Sequence, residues 1–258
     1  MFSVFIWKGL KPRVRYITLQ LPKYKGGLSL PNMEHYYKSA QLRYLIYWCN
    51  PCYSAKWKNL DLSQLDIPLQ TLLGDRSLYS SVKEKFNCWT KTPLNIWFGE
   101  CLKLKLENHI KILRWVANDK DFRPSHMDGR YKNWSFKGIT TYCLILDGGL
   151  LVDFQKPSDR YHLEKQDFFR YLQVRSHFNS NIKTTENCNT DLITIMIDAY
   201  KSKLNRKLIA RIYSCLQSHK GTSTLYIKSK WEKESKIIIS EEDWLNICET
   251  HRSTSSSG

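Results

Sequence analysis

The sequence predicts a mainly α-helical protein, an irregular multi-helix fold with a short extended basic segment at its N-terminus and room for one small β-hairpin. Apolar residues recur at helical spacings along most of the 258 residues, and the stretch 192–200 fits the i, i+3, i+4, i+7, i+8 template throughout. Residues 1–31 instead contain closely spaced prolines and glycines, which interrupt helices. Abundant aromatic residues indicate that the chain buries a core.

Changes in composition along the chain predict its domain organisation. The most polar internal stretch contains Asn118-Asp119-Lys120-Asp121, Pro124 and Gly129, as expected of a linker. We therefore expect five segments: an extended basic segment 1–31, a helical domain 32–117, a polar connector 118–135, a helical domain 136–251 and a disordered tail 252–258.

Local signals predict the individual elements. Alternation in Tyr16–Leu21 predicts a short strand, and Gly26-Gly27 predicts a tight turn. Asn32 should cap a helix that runs to about Trp48 and ends before Pro51. Further helices are expected near 76–89, 94–117, 166–178, 192–200, 208–216 and from 240 onward, where Ser240 and Asp243 resemble a capping box.

The segment 138–154 contains Asp147-Gly148-Gly149 and allows two structures. Asp-Gly favours a β-hairpin, whereas the helix-rich surroundings favour two short helices around a turn. We expect the second, with a helix that ends before Asp147.

Positive charge is concentrated near the N-terminus. The net charge is +16, and the residues before position 59 contribute 10 − 1 = +9, because Glu34 is their only acid. The ten basic residues are Lys8, Lys11, Arg13, Arg15, Lys23, Lys25, Lys38, Arg43, Lys56 and Lys58. Localised positive charge beside aromatic rings is typical of a surface that binds a polyanion, although a merely soluble basic surface would have the same composition.

The candidate nucleic-acid-binding residues interleave cations, rings and glycines. They are Trp7, Lys8, Lys11, Arg13, Arg15, Lys23, Lys25, Gly26 and Gly27. Lysine and arginine attract phosphates, amides in glycine turns donate to them, and nucleobases stack on exposed rings. Trp7 could equally belong to a core or to a contact between subunits.

Patterns for catalysis, metals and cofactors are missing from the sequence. Cys49 and Cys52 have the spacing of half a zinc site, but no second pair completes it. The chain has no nucleotide-binding glycine loop, no nucleophile elbow and no Asp-Asp dipeptide for two-metal nucleotidyl transfer. We expect no catalytic residue, no metal and no cofactor.

The expected compartment follows from cysteines and hydropathy. Eight cysteines lack a disulfide framework and are expected to be reduced thiols. Phe2–Trp7 is too short for a secretory leader, and no stretch is apolar enough for a membrane span. We expect an intracellular protein, in the cytoplasm, the nucleus or both, with no membrane partner.

An ordered series of short motifs resembles a known family. The series comprises Phe5-Ile6-Trp7, Lys11-Pro12-Arg13, Leu21-Pro22-Lys23, Gly26-Gly27-Leu28, Leu30-Pro31-Asn32, Tyr36-Tyr37, Ala40-Gln41-Leu42, the stretch 167–175, Leu225-Tyr226, Trp231-Glu232 and the stretch 239–244. It resembles the region that follows the reverse transcriptase domain in the polyprotein of vertebrate LINE-type (non-LTR) retrotransposons, and it spans nearly the whole chain.

The resemblance implies a supporting role without catalysis. The region would hold template RNA and target DNA, without sequence specificity, beside the polymerase domain of the same polyprotein, through the nine candidate residues. The family's polymerase and endonuclease acids match no position here, nor does the cysteine-histidine knuckle of some members. The alternative is an inert helical remnant, or a protein-docking scaffold without activity of its own.

Overall fold

The fold is that of a computed structural model, which describes residues 7–12, 14–22, 27–58, 67–182, 191–203, 207–218 and 226–253. The chain forms two compact units. The smaller unit combines Met1–Tyr36 with Ser218–Gly258, and the larger unit is Tyr37–Gln217. Within the described ranges, every helix is too short or too polar to cross a membrane.

The described chain is mainly helical, which confirms the predicted fold class. Its α-helices are Tyr16–Leu19, Met33–Cys49, Arg76–Val82, Cys88–Lys103, Arg123–Met127, Arg130–Phe136, Gln155–Tyr161, Asp167–His177, Asp191–Tyr200, Leu208–Ser218, Tyr226–Ser235 and Glu241–Ser253. Short 3-10 helices at Leu69–Gly74, Lys83–Lys85, His109–Leu113, Val116–Asn118 and Tyr142–Ile145, and a π-helical turn at Phe178–Ile182, complete the helical part.

Side-chain caps begin the helices where the sequence contains cap residues. The Oδ1 of Asn32 accepts hydrogen bonds from the amides of Glu34 and His35, which confirms the predicted cap. The amide of Asp243 donates to Ser240 Oγ, and this hydroxyl donates to the Asp243 carboxylate. At both positions the sequence correctly predicted where a helix begins.

Two predicted elements are wrong. Tyr16–Leu19 is a helical turn rather than a strand, because the amides of Thr18 and Leu19 both donate to the Arg15 carbonyl. The helix expected over 94–117 begins at Cys88 and ends at Lys103. Lys105 then adopts a left-handed conformation with φ 55°, which reverses the chain before the 3-10 helix His109–Leu113.

A β-hairpin forms at Asp147-Gly148-Gly149, as the predicted fold class allowed, and it follows a 3-10 helix, Tyr142–Ile145, that ends before Asp147 as expected. Leu146 pairs with Leu151 and Asp147 with Leu150, in antiparallel register. Gly148 and Gly149 have φ of 55° and 82°, the positive values that a type I′ turn needs at both central positions. The local Asp-Gly signal therefore outweighs the helical surroundings.

Two clusters of buried side chains fill the larger unit. The first joins helix Met33–Cys49 to Cys88–Lys103, Asp191–Tyr200 and Leu208–Ser218, with Trp97 fully buried among them. The second surrounds Tyr131 and Trp134. Buried indole N–H groups need acceptors, and Trp97 donates to the Leu73 carbonyl at 2.9 Å.

The residues of the predicted polar connector contribute to the second cluster. Between 118 and 135 the chain forms helix Arg123–Met127 and starts Arg130–Phe136, and it buries Phe122. The structure includes the whole segment in the larger unit. Of the expected disordered tail, 252–253 end the last helix and 254–258 lie outside the described residues. The five-segment division stays a prediction.

Candidate nucleic-acid interface

The described residues begin with a tight turn that contains two of the candidate residues, Trp7 and Lys8. The Leu10 amide donates to the Trp7 carbonyl at 2.9 Å. Lys8 and Gly9 between them have φ of 49° and 80°, as in a type I′ turn. The turn exposes the Lys8 side chain, whereas Trp7 is half-buried. Trp7 is therefore partly accessible for stacking and partly packed against the protein.

Lys11 and Arg15 follow this turn and are also exposed. Arg15 precedes the helical turn Tyr16–Leu19 and offers it only its backbone carbonyl. Among the described residues, no ion pair involves Lys8, Lys11 or Arg15. Their charges are therefore not neutralised within the described part of the protein, and they remain open to an external anion.

Gly27 lies where the chain returns to the helical turn. The amides of Leu28 and Leu30 both donate to the Leu19 carbonyl. A Cβ added at Gly27 would lie 2.0 Å from the Leu21 carbonyl oxygen, closer than any side chain can approach. The close approach of two backbones therefore requires a glycine here, and the phosphate-binding role of Gly27 stays a prediction. Four further candidates, Arg13, Lys23, Lys25 and Gly26, lie outside the described residues.

We expect Gly27→Ala to disrupt the contact that the returning chain makes with Leu19 and Leu21. The added methyl group would push the chain off Leu21 and break the hydrogen bonds of Leu28 and Leu30 to Leu19, at a cost of about 1–3 kcal/mol for a forced backbone shift. Amide hydrogen exchange at Leu28 and Leu30 should accelerate at least tenfold. Leu28→Ala is the control, because the Leu28 side chain is exposed and its loss leaves the backbone unchanged. Equal exchange in the two variants would contradict this explanation.

The other basic residues of the +9 segment lie in the larger unit, and two of them have structural roles. Lys38 pairs with Glu100 at 3.0 Å. The Lys58 ammonium donates to the Asn50 carbonyl at 2.6 Å, and burial lowers its pKa. Arg43 and Lys56 are exposed. Two of these four cations are thus engaged within the larger unit, and the other two are exposed.

A stack of aromatic rings near Arg43 and Lys56 was missed by sequence reasoning. The rings of Tyr44 and Trp57 stack at 4.4 Å, as do those of Tyr47 and Tyr53, and all four are half-buried. The Arg43 guanidinium lies 5.7 Å from the Tyr47 ring centroid. Each ring covers a face of another, so the stack is first a packing unit. The sequence signal was the series of rings that continues past the end of the helix, at Tyr53 and Trp57.

No protein-family model matches the chain, and no solved structure matches its fold at a significant level. The resemblance to the LINE-type region therefore rests on the sequence motifs, and the interface has to be judged from its own chemistry. That chemistry is a set of exposed cations in and after a short backbone turn, which can attract an anion by charge and hydrogen bonding.

A buried histidine–carboxylate pair elsewhere in the larger unit has a structural role. His177 Nε2 lies 3.3 Å from Asp119 Oδ2, and its Nδ1 lies 3.1 Å from the Asn181 side-chain nitrogen. An amide nitrogen only donates, so Nδ1 accepts and Nε2 carries the proton. Asp119 is 1% exposed, and neither residue lines the cavity of about 550 Å³ beside Arg114. The pair therefore joins buried elements of the larger unit.

Six cysteines are free thiols: Cys49, Cys52, Cys88, Cys101, Cys143 and Cys215. Burial raises the pKa of the Cys49 and Cys143 thiols to about 12, so both stay protonated and poorly nucleophilic at neutral pH. Cys52 is exposed while Cys49 is buried, which separates the two halves of the C-x₂-C pattern. Within the described ranges, no group of three His, Cys, Asp or Glu side chains is placed to hold a metal.

Proposed function

We propose that the chain is a nucleic-acid-binding module without a catalytic site, whose N-terminal segment holds the phosphates of single-stranded RNA or DNA. The observation that supports this most is the exposure of Lys8, in a tight turn, and of Lys11 and Arg15, which follow it, with no ion pair to any described residue. Clustered cations repel one another and gain when a polyanion binds. The partly open Trp7 ring adds a surface on which a base can stack.

The parent system that fits this role is the LINE-type retrotransposon polyprotein. There the module would hold template RNA and target DNA while the polymerase domain copies one onto the other. Such a task needs binding that tolerates any sequence, which phosphate contacts and base stacking supply. Intracellular residence in the cytoplasm and the nucleus would follow from it.

Salt dependence of RNA binding tests the proposal. We expect the whole chain to bind a labelled 20-nucleotide single-stranded RNA with a slope of log K against log salt near −4, from about 0.7 per phosphate for about six contacts. This predicts about 300-fold weaker binding at about 200 mM than at about 50 mM salt. Fluorescence anisotropy across this range measures the slope.

A pair of matched variants locates the interface. The test variant should lose most of the slope, because it changes six N-terminal cations to glutamine. These cations are Lys8, Lys11, Arg13, Arg15, Lys23 and Lys25. The control should keep the slope, because it changes four exposed lysines and two exposed arginines of the larger unit to glutamine. These residues are Lys85, Lys105, Arg123, Lys132, Lys165 and Arg175. A folded wild-type chain that fails to bind, or equal slopes in the two variants, would refute the proposal.

A protein-docking scaffold is the second candidate. Leu10, Ile17 and Leu28 of the basic segment expose 72%, 59% and 60% of their surfaces, as expected of an apolar face that a partner covers. Serine at these three positions removes apolar surface without adding charge beside the cations, so it should abolish capture of a purified LINE-type polymerase domain and leave RNA binding intact if docking is the role. Loss of RNA binding with unchanged capture would favour the nucleic-acid module instead.

A further inference from the structure

A second basic site lies in the larger unit, in a pocket of about 380 Å³. Its walls come from the hairpin around Leu146–Asp147 and Leu150–Leu151, from helix Gln155–Tyr161 and from the chain that follows helix Asp191–Tyr200. The lining residues are Leu144, Leu146, Asp147, Val152, Lys156, Pro157, Arg160, Tyr161, Lys201 and Lys203. The volume is within the range of about 300–1,000 Å³ for small-molecule sites.

Four cations face one carboxylate in this pocket. Lys156 and Arg160 come from one helix, and Lys201 and Lys203 come from a part of the chain some 40 residues later. In the described part of the chain, none of the four forms an ion pair. The only acid on the wall is Asp147, whose side chain is exposed. Folding thus collects about three net positive charges at one place without neutralising them.

Two of the four cations are held in position. The Lys201 ammonium donates a hydrogen bond to the Leu146 carbonyl at 2.5 Å, which ties it to the hairpin and leaves two N–H groups for a ligand. The Arg160 guanidinium lies 5.3 Å from the Tyr161 ring centroid, and the Tyr161 hydroxyl donates to the Leu144 carbonyl at 3.4 Å. A positioned guanidinium offers a planar pair of donors, which matches two oxygens of a phosphate.

We infer that this pocket binds a phosphate group. Val152 and Pro157 also line the pocket, and apolar groups beside the cations lower the local dielectric, which strengthens the attraction of the cations to an anion. The phosphate could belong to a free polyphosphate or to the backbone of a nucleic acid, since both present the same oxygens. The pocket lies within the larger unit, and the inference does not depend on the function proposed for the N-terminal segment.

The experiment uses the whole chain and two probes. The test variant is Lys156→Gln with Lys203→Gln, chosen because both side chains are exposed and Lys201 is needed by the hairpin. The control is Lys85→Gln with Lys132→Gln, which removes the same charge from exposed positions outside the pocket. Titration calorimetry with pyrophosphate at low salt measures free phosphate binding, and anisotropy with single-stranded RNA measures backbone binding. Thermal unfolding verifies that both variants are folded.

The two sources of phosphate give different results. If the pocket takes a free polyphosphate, the test variant binds pyrophosphate at least tenfold more weakly than the control, and their RNA slopes agree. If it takes a nucleic-acid backbone, the RNA slope falls by about 1.4, from two contacts of about 0.7 each. Equal behaviour of the test and control variants with both probes overturns the inference, as does a wild-type chain that binds neither.

Discussion

Replacement of Asp119 by alanine is expected to destabilise the larger unit by about 3–5 kcal/mol, the usual cost of removing one partner of a buried ion pair. Its carboxylate accepts from Arg114 Nη1 at 3.0 Å, from the Tyr142 hydroxyl at 3.0 Å and from the Asp121 amide at 3.1 Å, besides the contact with His177. Without it, a buried guanidinium and a buried hydroxyl would lose an acceptor, and each unsatisfied donor costs free energy.

The same carboxylate should make the stability of the fold depend on pH. Burial acts to raise the pKa of Asp119, but the hydrogen bond from His177 and the charge of Arg114 outweigh it and hold the pKa below its ordinary value. A group whose pKa is lower in the folded state stabilises the fold above its unfolded pKa of about 3.9. That stabilisation is lost as the pH falls through the folded pKa.

Urea unfolding of the wild type and three variants at neutral and acidic pH checks both statements. Asp121→Ala is the matched control, because Asp121 also pairs with Arg114 but is 48% exposed, and exposed pairs contribute about 1 kcal/mol or less. Asp119→Asn should be less stable than the wild type at pH 7 and should lose less stability between about pH 5 and pH 2. If Asp119→Ala and Asp121→Ala proved equally stable, the buried network would not be the stabilising element described here.

Gly74→Ala is expected to cost about 3 kcal/mol or more in unfolding free energy. A Cβ at Gly74 would lie 2.3 Å from the Arg114 amide nitrogen and 2.4 Å from the Leu113 carbonyl carbon. These are backbone atoms of the neighbouring 3-10 helix, so no side-chain rotation can relieve the overlap. Overpacking that shifts backbone costs about 1–3 kcal/mol and occasionally more, and this site is buried.

Gly99→Ala is the control for Gly74→Ala. Gly99 lies within helix Cys88–Lys103 of the same unit, and a Cβ there would meet no atom within 4 Å. Alanine in a helix interior is more favourable than glycine by about 0.5–1 kcal/mol, so this variant should gain stability. Chemical unfolding of both variants provides the comparison. A Gly74→Ala protein as stable as Gly99→Ala would mean that the two 3-10 helices can separate without penalty.

Local signals in the sequence sufficed for several elements and failed for others. Asn32 and Ser240 were identifiable because a cap depends on residues three positions away. The end of helix Cys88–Lys103 was not, since it depends on the left-handed conformation of Lys105, which the apolar periodicity does not reveal. The hairpin at Asp147-Gly148 was one of two structures that the sequence allowed, because the Asp-Gly signal and the helix-rich surroundings favour different structures.

The candidate sites, too, could be predicted only in part from local signals in the sequence. Exposure of Lys8, Lys11 and Arg15 could be expected from their charge, whereas the role of Gly27 depends on its distance from Leu21. The four-cation pocket could not be found from spacing, because about 40 residues separate Arg160 from Lys201 and only folding places them on one wall. The network around Asp119 was hidden for the same reason, with His177 a further 58 residues along the chain.

The smaller unit consists of two segments that are far apart in the sequence, and this affects when the unit can fold during synthesis. This unit needs both Met1–Tyr36 and Ser218–Gly258, so its first part leaves the ribosome about 180 residues before its last. At about 5–20 residues per second, the basic segment would wait roughly 10–40 s for the rest of its unit, while the larger unit can already form. A newly made chain would thus present its cations to nearby RNA, the ribosome's own included, before its smaller unit is complete.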